Sequence, residues 1–160
     1  MDYKLKTKNL VKILLATDHA GFELKELIKT FLTELSYEAE DQGAFEYNSE
    51  DDYPDFIKLA ASEISKNSIE QKAIIFGGSG QGEAMLANRF KNVRAVVYNS
   101  HNLEIIKLSR EHNDANILSI GARFLNEEQV KEAIKLWLET DFSNEERHIR
   151  RIEKIENLNN

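Results

Sequence analysis

Short, wholly apolar runs alternate along the chain with longer stretches in which apolar residues recur every three or four positions. The segment 11–17 (VKILLAT) predicts a buried strand, bounded by Asp18-His19-Ala20-Gly21. Leu24, Leu27, Ile28, Phe31, Leu32 and Leu35 then fall on one face of a helix. A weaker strand is predicted over 37–41, and a polar, acidic loop over 43–53. Pro54 suits the first turn of a helix with Phe56, Leu59, Ala60 and Ile64 inward. KAIIF (72–76) predicts a strand, followed by a glycine cluster and a short helix over 82–90. VRAVVY (93–98) predicts the next strand, and 101–110 the helix after it. ILSIG (117–121) is a strand; Asn126 then caps a helix that buries Val130, Ala133, Ile134, Trp137 and Leu138. A charged helix over 145–157 closes the pattern.

Five repeats of strand then helix imply a mostly parallel sheet with helices on both faces and right-handed crossovers. Such sheets bind ligands beyond the carboxyl ends of their strands. That rule nominates Asp18-His19, the 77–83 loop, Asn99-Ser100-His101 and Ala122-Arg123. With no internal repeat and no linker, residues 1–160 are expected to form one domain, with 1–10 as a polar N-terminal extension.

Composition removes several classes of function. No apolar run exceeds four residues, whereas a membrane-spanning helix needs about 20 and a signal peptide core about 7–15. A formal net charge of −7 and a pI of 5.2 argue against a non-specific grip on nucleic acid or an anionic membrane. The chain has no cysteine, which excludes disulfides, thiolate nucleophiles and Cys-based metal sites. The expected compartment is cytoplasmic.

Glycine is scarce except at one place: of seven glycines, Gly77, Gly78, Gly80 and Gly82 fall within six positions. Strand, glycine turn and helix start together make an anion cradle of exposed N–H groups. Three readings compete for it. A Walker loop needs Lys then Ser or Thr after its last glycine, but Glu83-Ala84 follow Gly82. A G-x-G-x-x-G fingerprint starting at Gly78 and Gly80 would need its third glycine where Glu83 stands. In the third reading the N–H groups hold a transient oxyanion and Glu83 is a base beside it. Without chemistry, Glu83 would simply suit the helix dipole, and Ser79 would satisfy loop N–H groups.

Among the histidines, His19 pairs with Asp18 at the end of the first strand. His112 precedes the last strand, which puts it at the amino end of the sheet. His101 reads as an exposed cap neighbour and His148 as a surface residue of a charged helix. Their spacing gives no metal-ligand pattern, so no metal is expected. The last helix carries a cluster of arginines: Arg150 has Glu146 four residues before it, but Arg147 and Arg151 share a face with no acid at helical spacing. A like-charge pair at that spacing costs about 0.2–0.5 kcal/mol, so an anion is expected there, and guanidinium forks suit phosphate.

ATDHAGFELK (16–25), DDYPDF (51–56), GGSGQGEAMLANR (77–89), REHNDANILSIGAR (110–123) and RHIRRI (147–152) resemble, in order and over 11–155, the B-type ribose-5-phosphate isomerases. Related enzymes act on galactose 6-phosphate and allose 6-phosphate. The resemblance implies a three-layer α/β/α Rossmann-like sandwich with a five-stranded parallel sheet and a C-terminal helix reaching a partner subunit. It implies reversible aldose–ketose isomerisation of ribose 5-phosphate and ribulose 5-phosphate through an enediolate, in the pentose phosphate pathway. It also implies no metal or organic cofactor, and a homodimer (or a tetramer) with active sites shared between subunits.

Much of that family uses a cysteine base at the position of Gly77; this chain resembles the branch with GGSG-x-GE, where the match to Glu83 takes that role. By the same resemblance His112 helps open the furanose ring, Ser79 moves a proton between the two oxygens, and Asp18 contacts sugar hydroxyls. Asn113 and the N–H groups of Gly78, Gly80 and Gly82 resemble the enediolate stabilisers. His19, Arg123, Arg147 and Arg151 resemble the phosphate ligands, some of them from the partner chain. Left open are another hexose, pentose or tetrose phosphate as substrate, and a non-catalytic phosphometabolite-binding domain of flavodoxin-like shape.

Overall fold

The structure is a computed structural model that describes residues 11–158, so the extension predicted over 1–10 lies outside the described residues. Five strands form one all-parallel sheet: β1 (Lys12–Thr17), β2 (Ala39–Asp41), β3 (Gln71–Gly77), β4 (Ala95–Tyr98) and β5 (Ile117–Gly121). Six helices connect or follow them: α1 (Phe22–Glu34), α2 (Tyr53–Lys66), α3 (Gln81–Ala87), α4 (Leu103–Glu111), α5 (Glu127–Glu139) and α6 (Glu146–Glu156). Each element predicted from the pattern is present, with boundaries shifted by a few residues.

The central strands are apolar throughout because both of their faces are covered. Ile13, Leu15, Ile74, Phe76, Leu118 and Ile120 point to one side, where they pack with Ile28 and Leu32 of α1, Ile106 of α4, and Val130, Ala133, Ile134 and Trp137 of α5. Leu14, Ala16, Ala73, Ile75 and Ile117 point to the other, against Ile57, Ala60, Ala61 and Ile64 of α2 and Ala87 of α3. The result is the three-layer α/β/α sandwich. Among the described residues no helix is long and apolar enough to cross a membrane.

The strand order is β2-β1-β3-β5-β4. The chain leaves β1 in one direction and β3 in the other, so a crevice opens between their carboxyl ends. Thr17 is level with Phe76, and Gly77 with Gly121. That register sets the turn after β1, the glycine loop after β3 and the turn after β5 side by side.

Candidate active site

The glycine loop is pinned from one side. The carbonyl of Gly77 accepts from the Ala122 N–H (2.8 Å) and that of Gly78 from the Arg123 N–H (3.1 Å). The Asn99 amide donates to the carbonyl of Ser79 (3.0 Å), and the Ser119 hydroxyl to that of Gly80 (2.6 Å). With four successive carbonyls held toward β5 and the end of β4, the N–H groups turn the other way. The N–H groups of Ser79, Gly80 and Gly82 find no acceptor among the described residues, while the Ser79 hydroxyl takes the Gln81 N–H (3.3 Å). Gly80 has φ +77°, in the left-handed region that favours glycine, and the reversal there starts α3.

Glu83 lies in the first turn of α3 and is only 4% exposed. Its carboxylate stands directly over Gly77, where any Cβ would collide with it. Burial pushes the Glu83 carboxyl up, its own N–H pulls it down, and the nearby Asp18 pushes it up again; the net direction is upward. A carboxylate so placed, in a loop with unclaimed N–H groups, has the chemistry to act as a base next to an oxyanion cradle.

Around this pair stand the other residues of the carboxyl end. Asp18 is buried and accepts the Ala20 N–H (2.9 Å), which fixes the short turn His19–Gly21; burial raises its carboxyl too. The guanidinium of Arg123 lies over Gly78, and the hydroxyl of Tyr53 over Gly82. His19 presents its ring to a depression of about 240 Å³ that it lines with Ala20, Glu23, Tyr47 and Arg123. Asp18, His19 and Asp51 offer donor atoms within 4.8 Å of one another, the one such cluster among the described residues. Its shortest contact, His19 Nδ1 to Asp51 Oδ1 at 2.7 Å, is a hydrogen bond.

His112, Asn113, Arg147 and Arg151 are not brought to this crevice. His112 ends α4 and, with Asn113, leads into the amino end of β5. The five residues of β5 alone span about 16 Å. Helix α6 docks at the same amino end: Glu156 binds Arg94 (2.7 Å) and the Asn92 N–H (3.1 Å), and Arg94 in turn binds the carbonyl of Asn113 (3.1 Å). The residues nominated for the site therefore fall into two groups at opposite ends of the sheet.

Two expectations for α6 are corrected. His148 is not at the surface: it is 2% exposed and stacks on His112, with ring centroids 4.3 Å apart and 15° between planes. Burial, His112 and Arg147 all push its imidazole down. Arg147 is not without an acid: its Nε donates to Glu145 at 2.9 Å. Glu145 precedes the helix in extended backbone, so helical spacing does not reveal the pair. Arg151 has no acidic partner among the described residues.

The sequence pattern assigns no individual role to Tyr47, Asp51 or Tyr53. The usable signal for Asp51 was a pair of acids ahead of Pro54, which reads as helix capping although neither side chain caps α2.

The sequence profile of the Ribose/Galactose Isomerase family matches residues 13–155. The chain belongs to this family. Among its relatives, "Ribose-5-phosphate isomerase B" of Mycolicibacterium paratuberculosis is 35% identical over 143 residues, covering 89% of this chain and 88% of the relative. A "putative sugar phosphate isomerase" of Bacillus subtilis is 34% identical over 145 residues, covering 91% and 95%. The crystal structure of ribose-5-phosphate isomerase B from Mycoplasma genitalium with bound ribulose-5-phosphate superposes with a TM-score of 0.88 at 34% identity, over 92% of this chain and 95% of that one. The Thermotoga maritima ribose 5-phosphate isomerase superposes with a TM-score of 0.84 at 38% identity, over 91% and 97%.

Proposed function

We propose that this chain interconverts ribose 5-phosphate and ribulose 5-phosphate through an enediolate, with Glu83 as the carbon base. The observation that carries the reading is the Glu83 carboxylate, buried and raised, over Gly77 at the head of a loop whose Ser79, Gly80 and Gly82 N–H groups are unclaimed among the described residues. Likeness to a relative with bound ribulose-5-phosphate supports the substrate class.

In the open-chain aldose, Glu83 takes the proton from C2. The C–H electron pair becomes the C1=C2 bond, and the carbonyl pair moves onto O1. The loop N–H groups meet the negative charge where it develops, each worth about 3–4 kcal/mol. Ser79 passes a proton from the C2 hydroxyl to O1. Glu83 then returns its proton to C1 as C2 becomes the carbonyl. Asp18 holds sugar hydroxyls, and His19 and Arg123 hold the phosphate. No metal or organic cofactor takes part. Ring opening by His112, charge stabilisation by Asn113, and phosphate contacts from Arg147 and Arg151 come from a second copy of the chain. The placement of the crevice and the α6 face at opposite ends of one sheet supports a homodimer as the working unit.

The test is solvent exchange. In D2O the protein should introduce deuterium at C2 of ribose 5-phosphate, and Glu83→Gln should abolish both exchange and turnover while binding changes only a few-fold. Unimpaired exchange in Glu83→Gln would remove Glu83 from the role. Absence of exchange and turnover in the wild-type chain across a panel of aldose phosphates would leave a binding domain.

A further inference from the structure

Asp51 and Asp52 precede the first turn of α2, a place where an aspartate ordinarily caps the helix. Asp52 is the N-cap residue, yet its side chain accepts no cap hydrogen bond. The Asp51 carboxylate turns instead to a residue far away in the chain. One oxygen, Oδ1, accepts both the backbone N–H of His19 (2.9 Å) and its ring Nδ1 (2.7 Å). The other, Oδ2, is buried with no partner. The side chain as a whole is 8% exposed, and no lysine or arginine pairs with it among the described residues. A carboxylate so desolvated needs a counter-charge, and among the described residues His19 is the one basic side chain paired with it.

With Nδ1–H committed to Asp51, the ring is fixed in orientation and tautomer. Its other nitrogen, Nε2, makes no hydrogen bond to the described residues. Tyr47 packs its edge on the ring (centroids 6.3 Å, 86°), and the imidazole lines the depression shared with Ala20, Glu23, Tyr47 and Arg123. The charged groups facing His19 are Asp51, Asp18 (4.0 Å from Nδ1), Arg123, and Glu23 on the lip of the depression. The Asp51 hydrogen bond is the largest influence; burial and Arg123 oppose it, Asp18 assists it, and the imidazole ends above its ordinary value. Arg123 and the committed Nδ1 make the cluster a poor seat for a cation and a good one for an anion.

We propose that Asp51 is a positioning residue that keeps His19 cationic, with Nε2–H directed into the depression to donate to an oxyanion of the substrate's phosphate. This rests on the sugar-phosphate reading of the site. The experiment uses the full chain and the variants Asp51→Asn, Asp51→Glu and His19→Gln. Histidine resonances are first titrated by NMR without ligand, then inorganic phosphate is added as the probe, and KM and kcat for ribose 5-phosphate are measured at pH 6 and pH 8.

In Asp51→Asn the ionisation midpoint of His19 should fall, and Asp51→Glu should restore most of it. Affinity for inorganic phosphate, and KM, should worsen about tenfold at pH 8 but approach wild type at pH 6, with kcat within about threefold at both. Comparison at equal pH cancels the titration of the phosphate itself. His19→Gln should raise KM at both pH values. An unmoved His19 midpoint in Asp51→Asn, or an equal loss at both pH values, would overturn the proposal. Should the wild-type chain turn over no sugar phosphate, the proposed activity fails, while the NMR and inorganic-phosphate arms still decide the role of Asp51.

Discussion

The carboxylate of Glu83 fills the space into which a side chain at Gly77 would project. A base on the helix and a side chain on the strand end exclude one another there, so Gly77 is a steric requirement of Glu83. Gly77→Ala should displace the carboxylate. Since a misplacement of about 1 Å can cost 10²-fold, kcat should fall by at least about that factor. Overpacking should also cost about 1–3 kcal/mol of stability. The double variant Gly77→Ala, Glu83→Ala removes the clash, so its Tm should return to that of Glu83→Ala alone. Strictly additive losses in Tm would show that the two groups do not compete for one space.

The same carboxyl sets a pH dependence. In the proposed role Glu83 works only when ionised, and burial raises its pKa, with Asp18 adding to the rise. The acid limb of the kcat/KM profile, which reports the free protein, should therefore lie above the ordinary glutamate value of 4.5. Asp18→Asn should move that limb to lower pH. Asp18 is itself raised by burial, so the limb reports the pair rather than one residue. A limb at or below 4.5 would contradict the desolvated carboxylate.

Stability should move the opposite way. A carboxyl whose folded pKa exceeds its unfolded value binds its proton more tightly when folded, so stability falls as pH rises from 4.5 through the folded value. Glu83→Gln removes that loss. Its Tm should exceed wild type at pH 8, on the order of 2–4 °C for each kcal/mol recovered, and match it near pH 4. Differential scanning calorimetry at the two pH values decides this, and an equal Tm at pH 8 would sink it.

How far the chain could be read in advance depended on how local each determinant is. The strands were legible because Ile13, Leu14, Leu15 and Ala16 are all apolar, the mark of a strand covered on both faces. The glycine loop was legible because its glycines and Glu83 are contiguous. Strand order was not, since parallel pairing across a crossover leaves no local mark. Asp51 reaches His19 from 32 positions away, and His148 is covered by the turn at His112, so neither role follows from helical spacing. Glu145 escaped because it stands outside the helix whose spacing was being counted.

Not every residue of the ATDHAGFELK motif serves chemistry. Lys25 is fully buried, and its Nζ binds Asp41 (2.7 Å) and the carbonyl of Ala44 (2.6 Å). Burial alone would raise the Asp41 carboxyl, but Lys25, the Gly43 N–H and Lys29 outweigh it and hold it low. Asp41→Ala leaves a buried ammonium without its main counter-charge, at a cost of about 3–5 kcal/mol. Tm should fall by roughly 6 °C or more, while kcat per folded molecule stays within about twofold. With its folded pKa lowered, Asp41 contributes stability that is present above 3.8 and lost as pH falls through the folded value, so the variant should also show a shallower acid limb of stability. A normal Tm would make the pair a surface ornament.

Glu83 and Arg151 lie at opposite ends of one sheet, so the proposed sharing of the site between two subunits can be tested by complementation. Glu83→Gln destroys the crevice half, and Arg151→Ala the α6 half. Each homodimer should be nearly inactive, Glu83→Gln through kcat and Arg151→Ala chiefly through KM. In a two-fold dimer carrying one copy of each, one site collects both lesions and the other is intact. Random reassociation of equal amounts makes half the dimers mixed, so roughly one quarter of wild-type activity should return at low substrate. Mixing without subunit exchange should restore nothing, which controls for contaminating activity. If reassociated mixtures stay as inactive as their parents, Glu83 and Arg151 serve within one chain, and the dimer has no part in building the site.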